Sequence, residues 1–324
     1  MRYWKLDWGR DSRKDGWREH LTALGRTYAP SLIIENAMKG EYIRFSDTFR
    51  TYDVENIIAQ TVTIARVAEL LPFSHDPSAM GLINCEDEAY VAAGLGCAIG
   101  VMRHPFVGAL PSGEPDHVFP EACRDLKRRT DEIVRAVRWH RISLPFGVGG
   151  EYHVDGEILH DGWLYAHDES WVRHEEGDIV PAEAPARVSR GMALPKVGST
   201  DPERPFTLAS AYPDGNVAVA TIGRSLGRKY VLKSVPVEIN VGSKDAKVGV
   251  FGEYETLTLV YPSALGRVKV LAQDLAGDTP VDITSRVRVE GERIVLPGDV
   301  LHEIGLMAAT PGDLSDPGLV LCLR

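Results

Sequence analysis

Two textures divide the chain. Up to about residue 146, short apolar runs alternate with helical spacing, the pattern of β/α units around a parallel sheet. The stretch Tyr3-Trp4-Lys5-Leu6-Asp7-Trp8 reads as a strand, and Trp17, Leu21 and Leu24 recur three or four apart, which predicts a helix over about 15–28 that Pro30 ends. Residues 31–36 (SLIIEN) form the next strand, apolar in the middle as a strand covered on both faces should be. A long helix is predicted over 53–71, with Val54, Ile57, Ile58, Val62, Ala65 and Ala68 on one face and Pro72 after it. A strand at 80–84 (MGLIN) precedes an Ala- and Gly-rich helix over 86–100. Pro120 opens a helix to about 138, with Leu126, Ile133, Val134 and Val137 facing inward.

Beyond residues 147–150 (GVGG) the runs shorten and alternate, separated by Asp-Gly, Gly and Pro. That is the texture of β-hairpins. The expected organisation is therefore a partial (β/α) barrel over 1–146, a Trp- and His-rich connector over 147–205, and an antiparallel β-sandwich over 206–324. A closed eight-stranded α/β barrel needs roughly 200 residues, and 146 suffice for some five units. The fold class expected is the second part of a (β/α)8 TIM barrel followed by a C-terminal sandwich, with three units expected before Met1.

Composition narrows the partner more than the fold. At 324 residues with a net charge of -10, the chain has no basic footprint for nucleic acid. It also has no run near the roughly 18 apolar residues of a membrane helix. Cys85, Cys97, Cys123 and Cys322 form no CxxC, so free thiols are expected rather than a zinc site or a disulfide framework. The first residues lack the charged and apolar regions of a signal peptide. A neutral small molecule is the expected partner.

The candidate chemistry begins in the first strand. Side chains alternate along an extended strand, so Tyr3, Lys5 and Asp7 share one face and Trp4, Leu6 and Trp8 the other. Charged residues turned into a barrel are costly unless paired or used, and at the C-terminal end of a barrel strand such residues mark an active site. A structural Lys/Asp pair capping the strand end is the plain alternative. A second acidic element, residues 44–53 (RFSDTFRTYD), falls where another strand should end. Two carboxylates on two strand ends are what retaining glycoside hydrolysis requires: one attacks the anomeric carbon, and the other, protonated, serves the leaving oxygen.

At these residues the chain resembles clan D of the glycoside hydrolases, the α-galactosidase-like families 27 and 36. Lys5-Leu6-Asp7 matches the Lys-x-Asp of their fourth barrel strand, which implies that Asp7 is the nucleophile and Lys5 a ligand of substrate hydroxyls. Arg50-Thr51-Tyr52-Asp53 resembles their acid/base element, which makes Asp53 the acid/base and Arg50 a substrate ligand. Two residues separate Arg50 from Asp53 where family 27 usually has three, and Ser46-Asp47 is similar to the family 36 pattern, so Asp47 stands as the alternative acid/base. The loop after the intervening strand helps form the family's sugar pocket, which makes Glu35 and Asn36 candidate ligands.

The resemblance implies a retaining α-glycosidase, requiring no cofactor or metal, whose substrate is an α-linked sugar or oligosaccharide. α-Galactose is the default, with α-N-acetylgalactosamine and β-L-arabinopyranose close in hydroxyl geometry. A missing N-terminal barrel segment, in cis or in trans, is a further expected partner. The alternative reading is a non-catalytic carbohydrate-binding or structural protein derived from such an enzyme. A metal-dependent hydrolase around Glu86–Glu88 is a third, although Asn84 reads more simply as a helix cap followed by acids that suit the dipole. Arg103 and His104 follow another strand end, where a pocket or a structural role is equally open. His153, His160, His167 and His174 recur every seven residues, but glycines among them argue against one helix. Trp163 and Trp171 suit either sugar stacking or a buried domain interface.

Overall fold

The structure is a computed structural model. It describes residues 3–6, 16–37, 48–50, 82–84, 89–97, 129–146, 150–155, 163–165, 171–175, 178–181, 186–226 and 229–324. Strands β1 (Tyr3–Leu6), β2 (Ile33–Ala37), β3 (Thr48–Arg50) and β4 (Leu82–Asn84) form a sheet in chain order, every pair parallel. Helix α1 (Trp17–Tyr28) joins β1 to β2. The helix predicted over 53–71 lies outside the described residues.

Helix α1 is seated by an unusual face. Gly25 rests on the sheet so closely that a Cβ there would meet Ile34 and Trp4 side-chain atoms at 2.9 Å. Beside it, Arg18 donates to the Leu6 carbonyl of β1. Thr22 accepts from the Asn36 amide of β2 at 3.1 Å. The apolar stripe that betrays this helix in the sequence is turned away from the sheet: Trp17 is 40%, Leu24 38% and Tyr28 84% exposed. Only Leu21, at the margin of the stripe, packs against the small core of Leu6, Leu32 and Ile34.

The described residues from 89 onward, one meander and one hairpin apart, form three stacked layers. Strands β5 (Tyr152–Val154), β9 (Arg187–Arg190), β11 (Phe206–Ala211), β12 (Val217–Ile222), β16 (Val248–Phe251), β18 (Val270–Asp274), β19 (Val281–Asp282) and β22 (Gly318–Leu323) make an eight-stranded sheet in the order β19-β18-β22-β16-β12-β11-β9-β5. A five-stranded sheet, β10-β15-β17-β21-β20, comprises β10 (Lys196–Val197), β15 (Pro236–Asn240), β17 (Thr256–Val260), β20 (Arg288–Glu290) and β21 (Arg293–Pro297). An antiparallel meander of β6 (Trp163–Tyr165), β7 (Trp171–Glu175) and β8 (Asp178–Pro181) stands apart in pairing, as does the hairpin β13 (Arg224–Leu226) and β14 (Lys229–Val231). The expectation of antiparallel strands throughout is corrected: β9–β11, β12–β16 and β15–β17 run parallel. Strands β5, β9 and β10 also arise from the stretch expected to be a connector.

Period-two alternation explains how one sheet lines two cores. Along β12, Val217 and Val219 face the five-stranded sheet with Val237, Leu257 and Ile294. Ala218, Ala220 and Ile222 face the opposite way. That second face is covered by helices α2 (Ala89–Leu95) and α3 (Thr130–Ile142), which come from the part of the sequence expected to belong to the barrel. Helix α4 (Gly298–Gly305) closes the first core with Val300, Leu301 and Ile304.

Small residues let α2 approach. A Cβ on Gly94 would lie 2.8 Å from Leu208 Cβ and 2.9 Å from Ala220 Cβ. The helix ends on Gly96 at φ 66°, with Cys97 N–H donating to the Ala92 carbonyl and Gly96 N–H to that of Ala93, the paired bonds of a Schellman turn. Two β11-side hydroxyls serve the same end, Ser210 donating to the Gly94 carbonyl at 2.7 Å and Tyr212 to that of Ala93 at 2.6 Å.

Helix α3 is held by charge. The expected inward residue Val134 is 37% exposed, while Asp131, Glu132, Arg135, Ala136 and Trp139 are buried. Its N-terminus is capped from the far end of the chain: Asp313 accepts from Thr130 N–H at 2.7 Å, and Ser315 Oγ from Glu132 N–H at 3.0 Å. Asp131 and Glu132 return the favour, accepting from the Thr310 and Asp316 amides. At the centre, Arg135 makes a two-pronged pair with Asp274 of β18, at 2.9 and 3.2 Å, with side-chain exposures of 0% and 3%.

Two outcomes follow. Arg135→Met, which leaves Asp274 buried without its cation, should lower stability by about 3–5 kcal/mol, whereas removing both charges with Arg135→Met and Asp274→Leu should cost clearly less; urea unfolding measures both. His140 sits in the last turn of α3, where a helix favours a cation, yet burial holds its pKa down to about 4. Its folded value lies below the unfolded value of about 6.5, so the unfolded chain takes up the proton first. Stability should therefore be full above that pH and fall as pH drops towards 4, and His140→Gln should flatten this part of a melting-temperature profile.

Candidate functional site

In a parallel sheet, residues in register share a face. One row reads Lys5, Glu35, Thr48, Leu82, and the next row on that same face reads Ala37, Arg50, Asn84. The intervening row, Leu6, Asn36, Phe49, Ile83, belongs to the other face. Three of the residues singled out in the sequence, Lys5, Glu35 and Arg50, thus occupy one face near the C-terminal ends of three adjacent strands. Adjacent strands lie about 4.8 Å apart.

Asn36 is separated from them. It is fully buried, and its amide donates to Thr22 Oγ1 of α1. The helix-facing side chain ties strand to helix, which corrects the pairing of Asn36 with Glu35 as sugar ligands. Alternation is the physical reason: neighbours in a strand point to opposite faces.

Asp7 follows the last residue of β1, and Asp53 lies three positions beyond the last of β3; both, with the alternative Asp47, lie outside the described residues. So do Glu86–Glu88, Arg103 and His104. Among the described residues no group of three or more His, Cys, Asp or Glu is placed to hold a metal ion.

The register also brings in a residue that sequence reasoning assigned elsewhere. Asn84 closes the described part of β4, opposite Arg50. The signal was available: Asn84 closes an apolar strand, and a strand-end amide beside an arginine is suited to donate and accept hydrogen bonds from hydroxyls.

Elsewhere, His153 stands in the eight-stranded sheet and His174 in the meander, so the seven-residue spacing does not gather these two histidines on one element. In the meander, Trp163 pairs with Arg173 and Tyr165 with Trp171, which places Trp163, Tyr165 and Trp171 at positions on a single face.

The chain was compared with protein-family models, with curated proteins and with solved structures, and none of the three comparisons found a match.

Proposed function

We propose that the chain is the C-terminal part of a retaining α-glycosidase similar to the α-galactosidases, hydrolysing terminal α-linked sugars by double displacement. The observation that supports this reading is the common face of Lys5, Glu35 and Arg50 at the C-terminal ends of parallel strands. In barrels and in open α/β sheets alike, ligands bind at that end. Asp7 follows Leu6 directly in the sequence.

In this scheme the Asp7 carboxylate attacks the anomeric carbon and forms a glycosyl-enzyme while Asp53 gives its proton to the leaving oxygen. Asp53 then takes a proton from water, which displaces Asp7. Lys5 and Arg50 donate to sugar hydroxyls, and Glu35 accepts from them. The scheme uses no cofactor.

A second reading, a carbohydrate-binding protein without turnover, is favoured by one observation. Strand β1 is the outermost of the four described parallel strands, so the row that begins with Lys5 is open on one side among the described residues.

Incubating the purified 324-residue chain with 4-nitrophenyl α-galactoside separates the readings. Glycosidase action predicts release of nitrophenol that falls to background in Asp7→Asn and by about 10²- to 10⁴-fold in Asp53→Asn. Galactose binding without release, weakened by Arg50→Ala, supports the second reading. Neither binding nor release would reject both.

A further inference from the structure

We propose that the meander β6–β8 carries a carbohydrate-binding platform, built on elements other than the parallel strands, whose ligand is a neutral oligosaccharide. Register makes the juxtaposition that carries it. Trp163 stands opposite Arg173 and Tyr165 opposite Trp171, while Arg173 stands opposite Val180 and Glu175 opposite Asp178. One face therefore holds the aromatic positions Trp163, Tyr165 and Trp171, followed along β7 and β8 by the charged positions Arg173, Glu175 and Asp178. The other face holds Leu164, Val172, His174, Ile179 and Pro181, none of them an Asp, Glu, Lys or Arg.

A three-stranded meander needs one covered face to be stable. Covering the aromatic face would also take three charges out of water, two of them carboxylates at opposed positions, where like charges repel. Covering the aliphatic face removes Leu164, Val172 and Ile179 from water and strands no charge. The charges of the first face, whatever lies beyond the meander, thus select the second as the face to be covered. Aromatic residues also strengthen hairpins through cross-strand pairs, and Tyr165 with Trp171 is such a pair. That role needs no third ring at Trp163.

The chemistry of the face names its ligand. Indole and phenol rings offer flat apolar surfaces with a polar tip, and a sugar ring has a C–H face to lie on them and hydroxyls at its rim. Arg173 brings donors for those hydroxyls, and Glu175 and Asp178 bring acceptors. Trp163 and Tyr165 lie two residues apart on β6, about 7 Å, and Trp171 stands one strand away, about 4.8 Å. Aromatic positions spread in two directions suit consecutive sugar units better than a single ring. One base against two acids on this face, in a chain of net charge -10, disfavours acidic glycans and nucleic acid.

The platform does not depend on the glycosidase reading, since an enzyme and a binding protein would both use it to hold further units of a sugar chain. Stachyose, a neutral α-galactosyl oligosaccharide, is titrated into the full chain carrying Asp7→Asn, which silences turnover, and Arg50→Ala, which disables the strand-end site. Tryptophan fluorescence reads binding, and peptide mapping after oxidation with N-bromosuccinimide reads which indoles the sugar covers. Binding should persist in this background, slow oxidation of Trp163 and Trp171 at least about threefold, and weaken at least about tenfold in Trp171→Ala. Trp171→Phe, which keeps a ring at that strand position, should weaken it less. No stachyose binding in this background would overturn the platform and leave the glycosidase reading standing. Binding that leaves the oxidation of both tryptophans unchanged would also overturn it, as would protection of them by a proline-rich peptide but not by the sugar.

Discussion

A sheet buried on both faces constrains everything around it. The central strands of the eight-stranded sheet expose no side chain to solvent on either side, so each face must be matched to a different neighbour. Towards the second sheet the chain presents Val217, Val219, Val248 and Val250, branched side chains that fill the space between two pleated surfaces. Towards the helices, β12 presents two alanines in place of valines. The small side chains allow the backbone of α2 to come within a methyl group of the strands, and Gly94 is the matching concession on the helix. Ring stacking completes this layer, with Tyr90 and Phe251 centroids 4.9 Å apart and Trp139 edge-on to Tyr212.

Apolar contact alone does not orient the covering helices. Alanines fit many rotations about the helix axis, whereas the Arg135–Asp274 pair admits one, because a planar guanidinium must meet a carboxylate in its own plane. Asp274 also accepts from the Ala276 and Ala308 amides, which hold its carboxylate in place for the arginine. The reciprocal bonds between 130–132 and 310–316 then fix the helix along its axis. Burial is expensive for each of these charges, and each is met by a partner of fixed geometry.

Much of this architecture was legible from hydrophobic spacing, and the failures share a cause. The strands at 3–6, 33–37 and 82–84 and the helix at 17–28 appear where periodicity places them, because short apolar runs between turn residues leave little choice. The faces of the helices did not follow. Periodicity assumes that the apolar side is the buried one, yet α1 is seated by Gly25, Arg18 and Thr22, and α3 by Glu132, Arg135 and Trp139. Polar residues can serve as a seat only when partners are supplied from elsewhere, and here those partners lie far away in sequence: Asp313 caps a residue 183 positions before it. No local window contains that information. At the candidate site, alternation within a strand separates Lys5 from Leu6 without help, but only register across strands aligns Lys5 with Glu35 and Arg50 with Asn84, and register depends on loops whose lengths carry no code for it.

The placement of β22 bears on how the protein comes to be made. This strand is the last in the sequence, and it lies in the middle of the eight-stranded sheet, hydrogen-bonded to β16 on one side and β18 on the other. During synthesis β16 and β18 emerge well before it, and their facing edges stay open until residues 318–323 arrive to fill the slot between them. Loop 310–316, which caps α3, arrives only slightly earlier. The covering helix and the two halves of the sheet thus wait for the same late stretch of polypeptide, so vectorial, strand-by-strand folding at the ribosome is closed to this region. A nascent chain paused before β22 would present one open edge each on β16 and β18, which makes the interval before that strand appears one in which chaperone protection matters.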